Sequence, residues 1–135
     1  MRKIYRLSLL FIIITSTNFI FAQSKVFDNL TMKSEILNME RSYSVYLPPD
    51  YETSSRSYPV LYLLHGLGDD HTGWIQFGEV KKIADESIIN GDATPMIIIM
   101  PDANTGYVGY INIPSENWFY ENFFFDELLP HVESK

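Results

Sequence analysis

One short segment, His65-Gly66-Leu67-Gly68, carries residue types that could bind a developing negative charge. It follows the apolar run 59–64 directly and precedes the polar pair Asp69-Asp70. Glycines let a backbone approach a ligand closely, and a free backbone N–H can donate a hydrogen bond to an oxyanion. The pattern therefore predicts one half of an oxyanion hole, with a glycine-rich turn that has no chemical role as the alternative.

The elements around this segment predict where it lies. Residues 59–64 and 96–100 are short, continuous apolar runs, which indicates strands buried on both faces of a parallel sheet. Between them, small or apolar residues recur at helical spacing: Val80, Ile83, Ala84, Ser87 and Ile88. Asn90-Gly91 predicts the end of that helix. A strand, a helix and a strand form a right-handed crossover, and the loop after its first strand lies at the ligand-binding edge of the sheet.

Two strands are predicted before this unit and a helix after it. Residues 26–40 and 41–47 favour two edge-type antiparallel strands. Residues 101–117 predict a long loop, and 118–134 a helix that Pro130 kinks or ends near Leu129. The apolar face of that helix is Phe125, Leu128, Leu129 and Val132. The order β-β-β-α-β-α predicts an α/β fold that stops where another parallel strand is expected.

Four more residues are candidates for substrate binding. Asp102 and Asn104 follow the second buried strand, where they could line a pocket or cap a turn, and the turn is favoured. Tyr107 and Trp118 could stack on a sugar or phenolic ring, or belong to the core.

The histidines are given structural roles. We expect His65 to order the glycine loop rather than to transfer a proton, and His131 to be solvated near a helix end. The set His65, Asp69, Asp70 and His71 matches no standard zinc spacing, so neither a metal site nor a cofactor is predicted. The chain has no cysteine, which excludes a thiolate nucleophile and a thiolate metal site.

The N-terminus has the pattern of a secretory signal peptide. A basic start precedes the apolar run 7–14, and Ala22 stands before a polar junction, which predicts cleavage after Ala22 and a secreted or periplasmic protein. Residues 15–18 interrupt the apolar run, so no stable membrane anchor is expected. Residues 23–135 retain 7 basic and 17 acidic side chains, a net charge of about −10 that disfavours nucleic acid as a partner.

An ordered set of segments resembles the family named "Putative esterase": residues 41–51, 58–68, Trp74, 100–102 and 122–133. The family holds feruloyl and acetyl xylan esterases, tributyrin esterases, S-formylglutathione hydrolases and the antigen 85 mycolyltransferases. The resemblance implies an α/β-hydrolase fold with a Ser, Asp or Glu, His triad in that chain order. It also implies that the Leu67 N–H is an oxyanion donor, in a loop shaped by His65, Gly66 and Gly68.

The sequence departs from the family pattern at the nucleophile. It has no Gly-x-Ser-x-Gly: Ser87 lies in Asp-Glu-Ser-Ile-Ile and Ser115 in Pro-Ser-Glu. The resemblance places this motif after the last helix, so we expect the whole triad beyond Lys135 and expect the 135 residues alone to be inactive. Residues 1–22 are then a signal peptide, and residues 23–135 the N-terminal half of an incomplete α/β-hydrolase domain.

Three functions stay open at this point. The first is a secreted serine esterase that acts on small-molecule or carbohydrate-linked esters. The second is an acyltransferase, which is a close variant of the esterase. The third is a non-catalytic fragment or carbohydrate-binding remnant.

Overall fold

The computed structural model describes residues 23–104, 106 and 109–135. The predicted signal peptide and Tyr107 lie outside the described residues. Within these ranges, no helix has the length and apolar content that a membrane crossing requires.

Four strands form one mixed sheet: β1 Lys25–Ser34, β2 Met39–Leu47, β3 Val60–Tyr62 and β4 Ile97–Pro101. Their order is β1-β2-β4-β3, in which β2 is antiparallel to β1 and to β4, while β3 and β4 are parallel. The predicted antiparallel pair and the predicted parallel crossover are therefore both confirmed.

Strand β2 is internal, and the prediction that it is edge-type was wrong. Its alternate residues are covered on both sides, because Tyr43 and Val45 lie in one apolar cluster and Tyr46 lies in another with Ile98. The sequence suggested such a strand because Tyr43, Val45 and Leu47 recur on one side of residues 41–47. The Tyr46 hydroxyl is satisfied by donating to Asp85 Oδ1 at 2.9 Å.

Strand β3 is shorter and less buried than predicted. Its regular pairing covers three residues, and Leu61 is 43% exposed. Among the described strands β3 pairs only with β4, so it lies at an edge of the sheet. The continuous apolar run was therefore a correct indication of parallel pairing but not of burial on both faces.

Two helices lie between β3 and β4: α1 Gly73–Gln76 and α2 Val80–Asn90. Helix α2 is the predicted crossover helix, and it ends at Gly91, whose φ of 79° is left-handed. Val80, Ala84 and Ile88 pack with Tyr46 on one face of the sheet. Ile83 belongs to the predicted apolar face but is 55% exposed.

The predicted loop 101–117 and helix 118–134 differ most from the structure. A two-stranded hairpin forms first, from β5 Asn112–Ile113 and β6 Trp118–Phe119, joined by a 3₁₀ turn. Helix α3 Tyr120–Asn122, a π-helical segment Phe123–Leu128 and helix α4 Leu129–Glu133 follow. Trp118 therefore lies in a strand, and the predicted helix begins two residues later.

The π-helical segment also changes the buried face. Phe123 and Leu128, five residues apart, are both buried, whereas Phe125 is 57% exposed. A π turn places residues i and i+5 on one side, so the spacing of an α-helix predicted the wrong aromatic residue. Pro130 lies in the first turn of α4, where a missing N–H is tolerated, and it does not end the helix. These residues cover the sheet face opposite α2, which gives an α/β layer arrangement.

Candidate active site

Strands β3 and β4 are parallel, so their carboxyl ends meet at one edge of the sheet. The segments that follow them enclose a cleft of about 270 Å³. Its lining residues are His65, Gly66, Leu67, Gly68, Asp69, Ala103, Asn104, Gly109 and Tyr110. This edge is where open α/β sheets bind their ligands.

A tight turn closes the glycine loop between Gly66 and Asp69. The Asp69 N–H donates to the Gly66 carbonyl at 3.2 Å, which closes a four-residue turn with Leu67 and Gly68 in the middle. Gly68 has a φ of 81°, the left-handed value that the third position of a type II turn requires. Glycine at this position is therefore needed for the turn, as the sequence pattern indicated.

The amide of Leu67 is free to bind a ligand. Within the described part of the chain, no acceptor is bonded to it, and the same holds for the amides of Gly66 and Gly68. Leu67 is 96% exposed, so its side chain is not packed in the fold. An oxygen atom in the cleft could accept from this loop. The assignment of Leu67 as the particular donor stays a prediction.

His65 joins the two loops through both of its ring nitrogens. The Ala103 N–H lies 2.8 Å from Nε2, and Nδ1 lies 2.8 Å from the Gly66 carbonyl oxygen. An amide can only donate and a carbonyl can only accept, so the ring is neutral and its proton is on Nδ1. No ring nitrogen is left to abstract a proton or to bind a metal. The geometry supports a loop-shaping role.

Asp102 is not among the described residues that line the cleft, although its Oδ1 lies 3.7 Å from His65 Nε2. Its Oδ2 lies 3.0 Å from Arg41 Nη2, and its Oδ1 accepts from the Asn104 N–H at 2.7 Å. Arg41 also donates to the Asp102 carbonyl at 2.6 Å, and 8% of the Arg41 side chain and 14% of the Asp102 side chain are exposed. Asp102 thus caps a turn and pairs with Arg41, whereas Asn104 lines the cleft.

Two aromatic residues hold the backbone where β3 ends, a role that the sequence did not indicate for either. The Tyr110 hydroxyl is bonded to both the N–H and the C=O of His65, and the Trp74 indole donates to the Leu64 carbonyl at 2.9 Å. Burial raises the pKa of Tyr110 to about 12, so its hydroxyl stays protonated. Trp74 lies close enough in sequence to have been suspected, but Tyr110 lies 45 residues away.

In the acidic turn after the glycine loop, Asp70 accepts its hydrogen bonds from a residue of the same turn. Asp70 Oδ1 accepts from the hydroxyl and from the N–H of Thr72, both at 2.7 Å, and these bonds lower the pKa of Asp70. Across the described residues, no group of three or more histidine or acidic side chains is arranged to bind a metal.

The profile of the family described as "Putative esterase" matches residues 34–135. The chain belongs to this family. An esterase of Mycobacterium tuberculosis is 38% identical over 97 residues, which is 67% of this chain and 19% of that protein. An endo-1,4-beta-xylanase/feruloyl esterase of Xylanibacter ruminicola is 31% identical over 113 residues, 77% of this chain and 15% of that protein.

Comparison with a solved ferulic acid esterase gives a TM-score of 0.77 at 40% identity, over 84% of this chain and 44% of that one. The α/β-hydrolase fold expected from the sequence is thus confirmed for an esterase-family chain. The chain spans less than half the length of each of these relatives.

In this member of the esterase family, Trp118 lies in the core rather than at the cleft. It is 5% exposed, and its ring centroid is 6.4 Å from that of Tyr120. It does not line the cleft formed by the described residues. Substrate binding by Trp118 and by Tyr107 stays a prediction.

Proposed function

We propose that the protein containing this chain is a serine carboxylic-ester hydrolase in which the Leu67 N–H helps to bind the oxyanion. The observation that carries the proposal is the unbonded amide of Leu67 at the cleft beside the ends of β3 and β4. Backbone amides placed in this way stabilise the charge that develops on an ester carbonyl oxygen.

The proposed mechanism is a two-step acyl transfer. A serine oxygen attacks the ester carbonyl carbon, and a histidine takes the serine proton and passes it to the leaving alcohol. Water then hydrolyses the acyl-enzyme, and no cofactor is required. The family resemblance and the lack of Gly-x-Ser-x-Gly in residues 1–135 support placing the Ser, Asp or Glu, and His triad beyond Lys135.

We propose a small-molecule or carbohydrate-linked ester as the substrate class, with feruloyl esters among the candidates. The names of the ferulic acid esterase and of the xylanase/feruloyl esterase support this proposal. The net charge of −7 supports the exclusion of polyanionic partners such as nucleic acid.

The catalytic test compares Leu67→Pro with Leu67→Ala in the product of the full reading frame. Proline removes the N–H, yet it is favoured at the second position of a type II turn, and the lost N–H has no partner among the described residues. We expect the kcat for p-nitrophenyl acetate to fall about 10²- to 10³-fold in Leu67→Pro. We expect Leu67→Ala to stay close to wild type.

Equal kcat values in the two variants would refute the role of this amide. Loss of activity after treatment with a serine-directed phosphonate is expected, and insensitivity would refute a serine nucleophile. Phosphonate-sensitive turnover by residues 1–135 alone would contradict a nucleophile beyond Lys135. Inactivity of the full product would favour a non-catalytic remnant.

Export from the cytoplasm is part of the same proposal, with cleavage after Ala22. The basic and apolar pattern of residues 1–22 supports it. Ser24, two residues after the proposed cleavage point, is 6% exposed and donates to Asp85 Oδ2 at 2.7 Å. Cleavage after Ala22 leaves this contact in the mature chain.

A further inference from the structure

We propose that Tyr110 is a positioning residue for the oxyanion loop, which we define as residues 65–68. Its single hydroxyl fixes the backbone of His65 and thereby the place of the Leu67 amide. The inference rests on the proposed function, because the position of this amide affects catalysis only if the amide binds the oxyanion.

The Tyr110 hydroxyl bonds the backbone just beyond the last hydrogen bond between β3 and β4. The Leu63 N–H donates to the Ile99 carbonyl at 2.8 Å, in the alternating pattern of a parallel ladder. The next donor in that alternation is the His65 N–H, which instead donates to the Tyr110 hydroxyl oxygen at 2.8 Å. The same hydroxyl donates to the His65 carbonyl at 3.2 Å. One side chain therefore satisfies both backbone groups of the residue at which the chain leaves the sheet.

The ring of Tyr110 contacts one ring inside the loop and one outside it. Its centroid lies 5.6 Å from the His65 ring and 5.5 Å from the Tyr120 ring, which meets it edge-on at 84°. Tyr120 is itself fully buried, and its hydroxyl donates to the Asp102 carbonyl at 2.8 Å. The hydroxyl of Tyr110 is thus fixed relative to β4. Its hydrogen bonds to His65 therefore fix the His65 backbone relative to β4 as well.

His65 lies two residues before Leu67, so a shift of the His65 backbone moves the amide of Leu67. Oxyanion donors act over a narrow range of distance, and a misplacement of about 1 Å costs roughly 10² in rate. The ground-state ester makes little use of this donor, so the loss should appear in kcat rather than in KM.

The test compares Tyr110→Phe with Tyr62→Phe in the product of the full reading frame. Both changes remove one hydroxyl from a tyrosine whose pKa burial raises to about 12. Tyr62 is a matched control because its hydroxyl donates to Glu133 Oε1 at 3.3 Å and it does not line the cleft. We expect the kcat of Tyr110→Phe to fall about 10- to 100-fold, with KM within about twofold of wild type. A wild-type kcat, or a change confined to KM, would overturn the proposal.

Amide hydrogen exchange separates this inference from the proposed function. We expect the His65 amide to exchange about tenfold faster in Tyr110→Phe than in wild type or Tyr62→Phe, because its acceptor is removed. If wild type hydrolyses no ester, the proposed function fails, and the exchange rate alone decides whether Tyr110 positions the loop. Unchanged exchange at His65 would overturn the positioning role whether or not the enzyme is active.

Discussion

Single polar side chains connect the segments that surround the cleft. Arg41 lies on β2 and pairs with Asp102 at the end of β4, and the Ala103 N–H that follows is bonded to His65. Each of these side chains is largely buried, so each must have a partner. The cleft is therefore shaped by specific pairs, which individual substitutions can break.

Outside the cleft, Asp85 is a titrating group whose pKa is shifted by several hydrogen bonds. Its carboxylate accepts from Ser24, Tyr46 and Lys81 at 2.7 to 2.9 Å. Burial acts to raise the pKa of Asp85, but the hydrogen bonds from Lys81, Ser24 and Tyr46 outweigh it, so the pKa lies below its ordinary value. A lowered folded pKa gives stability that is present above the unfolded pKa of about 3.9 and is lost as the pH falls through the folded pKa.

We predict that Asp85→Asn lowers the free energy of unfolding at pH 7 and that the loss shrinks as the pH falls below about 4. Urea unfolding of the full protein between pH 7 and pH 2 measures this. Asp92→Asn is the control, since it removes an aspartate charge from an exposed position just after α2. Parallel pH curves for wild type and Asp85→Asn would contradict the prediction.

How much of the site the sequence could predict depends on how far apart along the chain the bonded residues lie. The turn at Gly66 to Asp69 is local, so its glycines identified it. The bond between Tyr110 and His65 spans 45 residues, and that between Arg41 and Asp102 spans 61. Neither leaves a spacing pattern, because each depends on which strand ends meet in the fold.

At the level of elements, the turn between β1 and β2 is held by the π-helical segment. Glu127 Oε1 accepts from the amides of Glu35 and Ile36 at 3.0 and 3.1 Å, and its Oε2 accepts from the Ser34 hydroxyl at 2.5 Å. Ser34 is fully buried. A carboxylate with three donors ties the hairpin to the opposite end of the described chain.

We predict that Glu127→Ala lowers the free energy of unfolding by about 2 kcal/mol, because it leaves these donors without a charged acceptor. Asp126→Ala is a matched control on the same segment, where Asp126 is exposed and accepts only from Asn122 among the described residues. Chemical denaturation of the full protein measures both variants. Equal losses would mean that helix propensity, not the tie to the hairpin, accounts for the effect.

The elements also show where periodicity is a reliable guide. Helix α2 was predicted within its observed bounds because its spacing is regular and Gly91 provides a left-handed end. The C-terminal helical region was predicted with the wrong buried face, since Phe123 and Leu128 follow a π turn. Continuous apolar runs indicated the parallel pairing of β3 and β4, but they could not show which of the two lies at the edge.

At the scale of the whole molecule, the sheet is covered by α2 on one face and by the C-terminal helical region on the other. The first residues of the described chain already belong to this arrangement, since Ser24 is bonded to α2 through Asp85. A residue two positions after the proposed cleavage point is therefore held by the fold.

We predict that the protein recovered from outside the cytoplasm begins at Gln23, because the small Ala22 and the polar junction have the pattern of a cleavage site. Mass spectrometry of the N-terminal peptide tests this. Ala22→Leu removes the small residue and should leave residues 1–22 attached. A wild-type protein that keeps residues 1–22, or that stays in the cytoplasm, would contradict the prediction.

The bond from Tyr110 to His65 also bears on the order in which the protein acquires its structure. The glycine turn closes over four residues, whereas the bonds that fix the loop join residues 38 and 45 positions apart. Contacts across such separations wait until the intervening chain has closed into a loop. The four residues of the turn are synthesised well before Tyr110, so the turn can form before the bonds that fix the loop. The oxyanion loop thus reaches its final position only after the chain as far as Tyr110 is available to fix it.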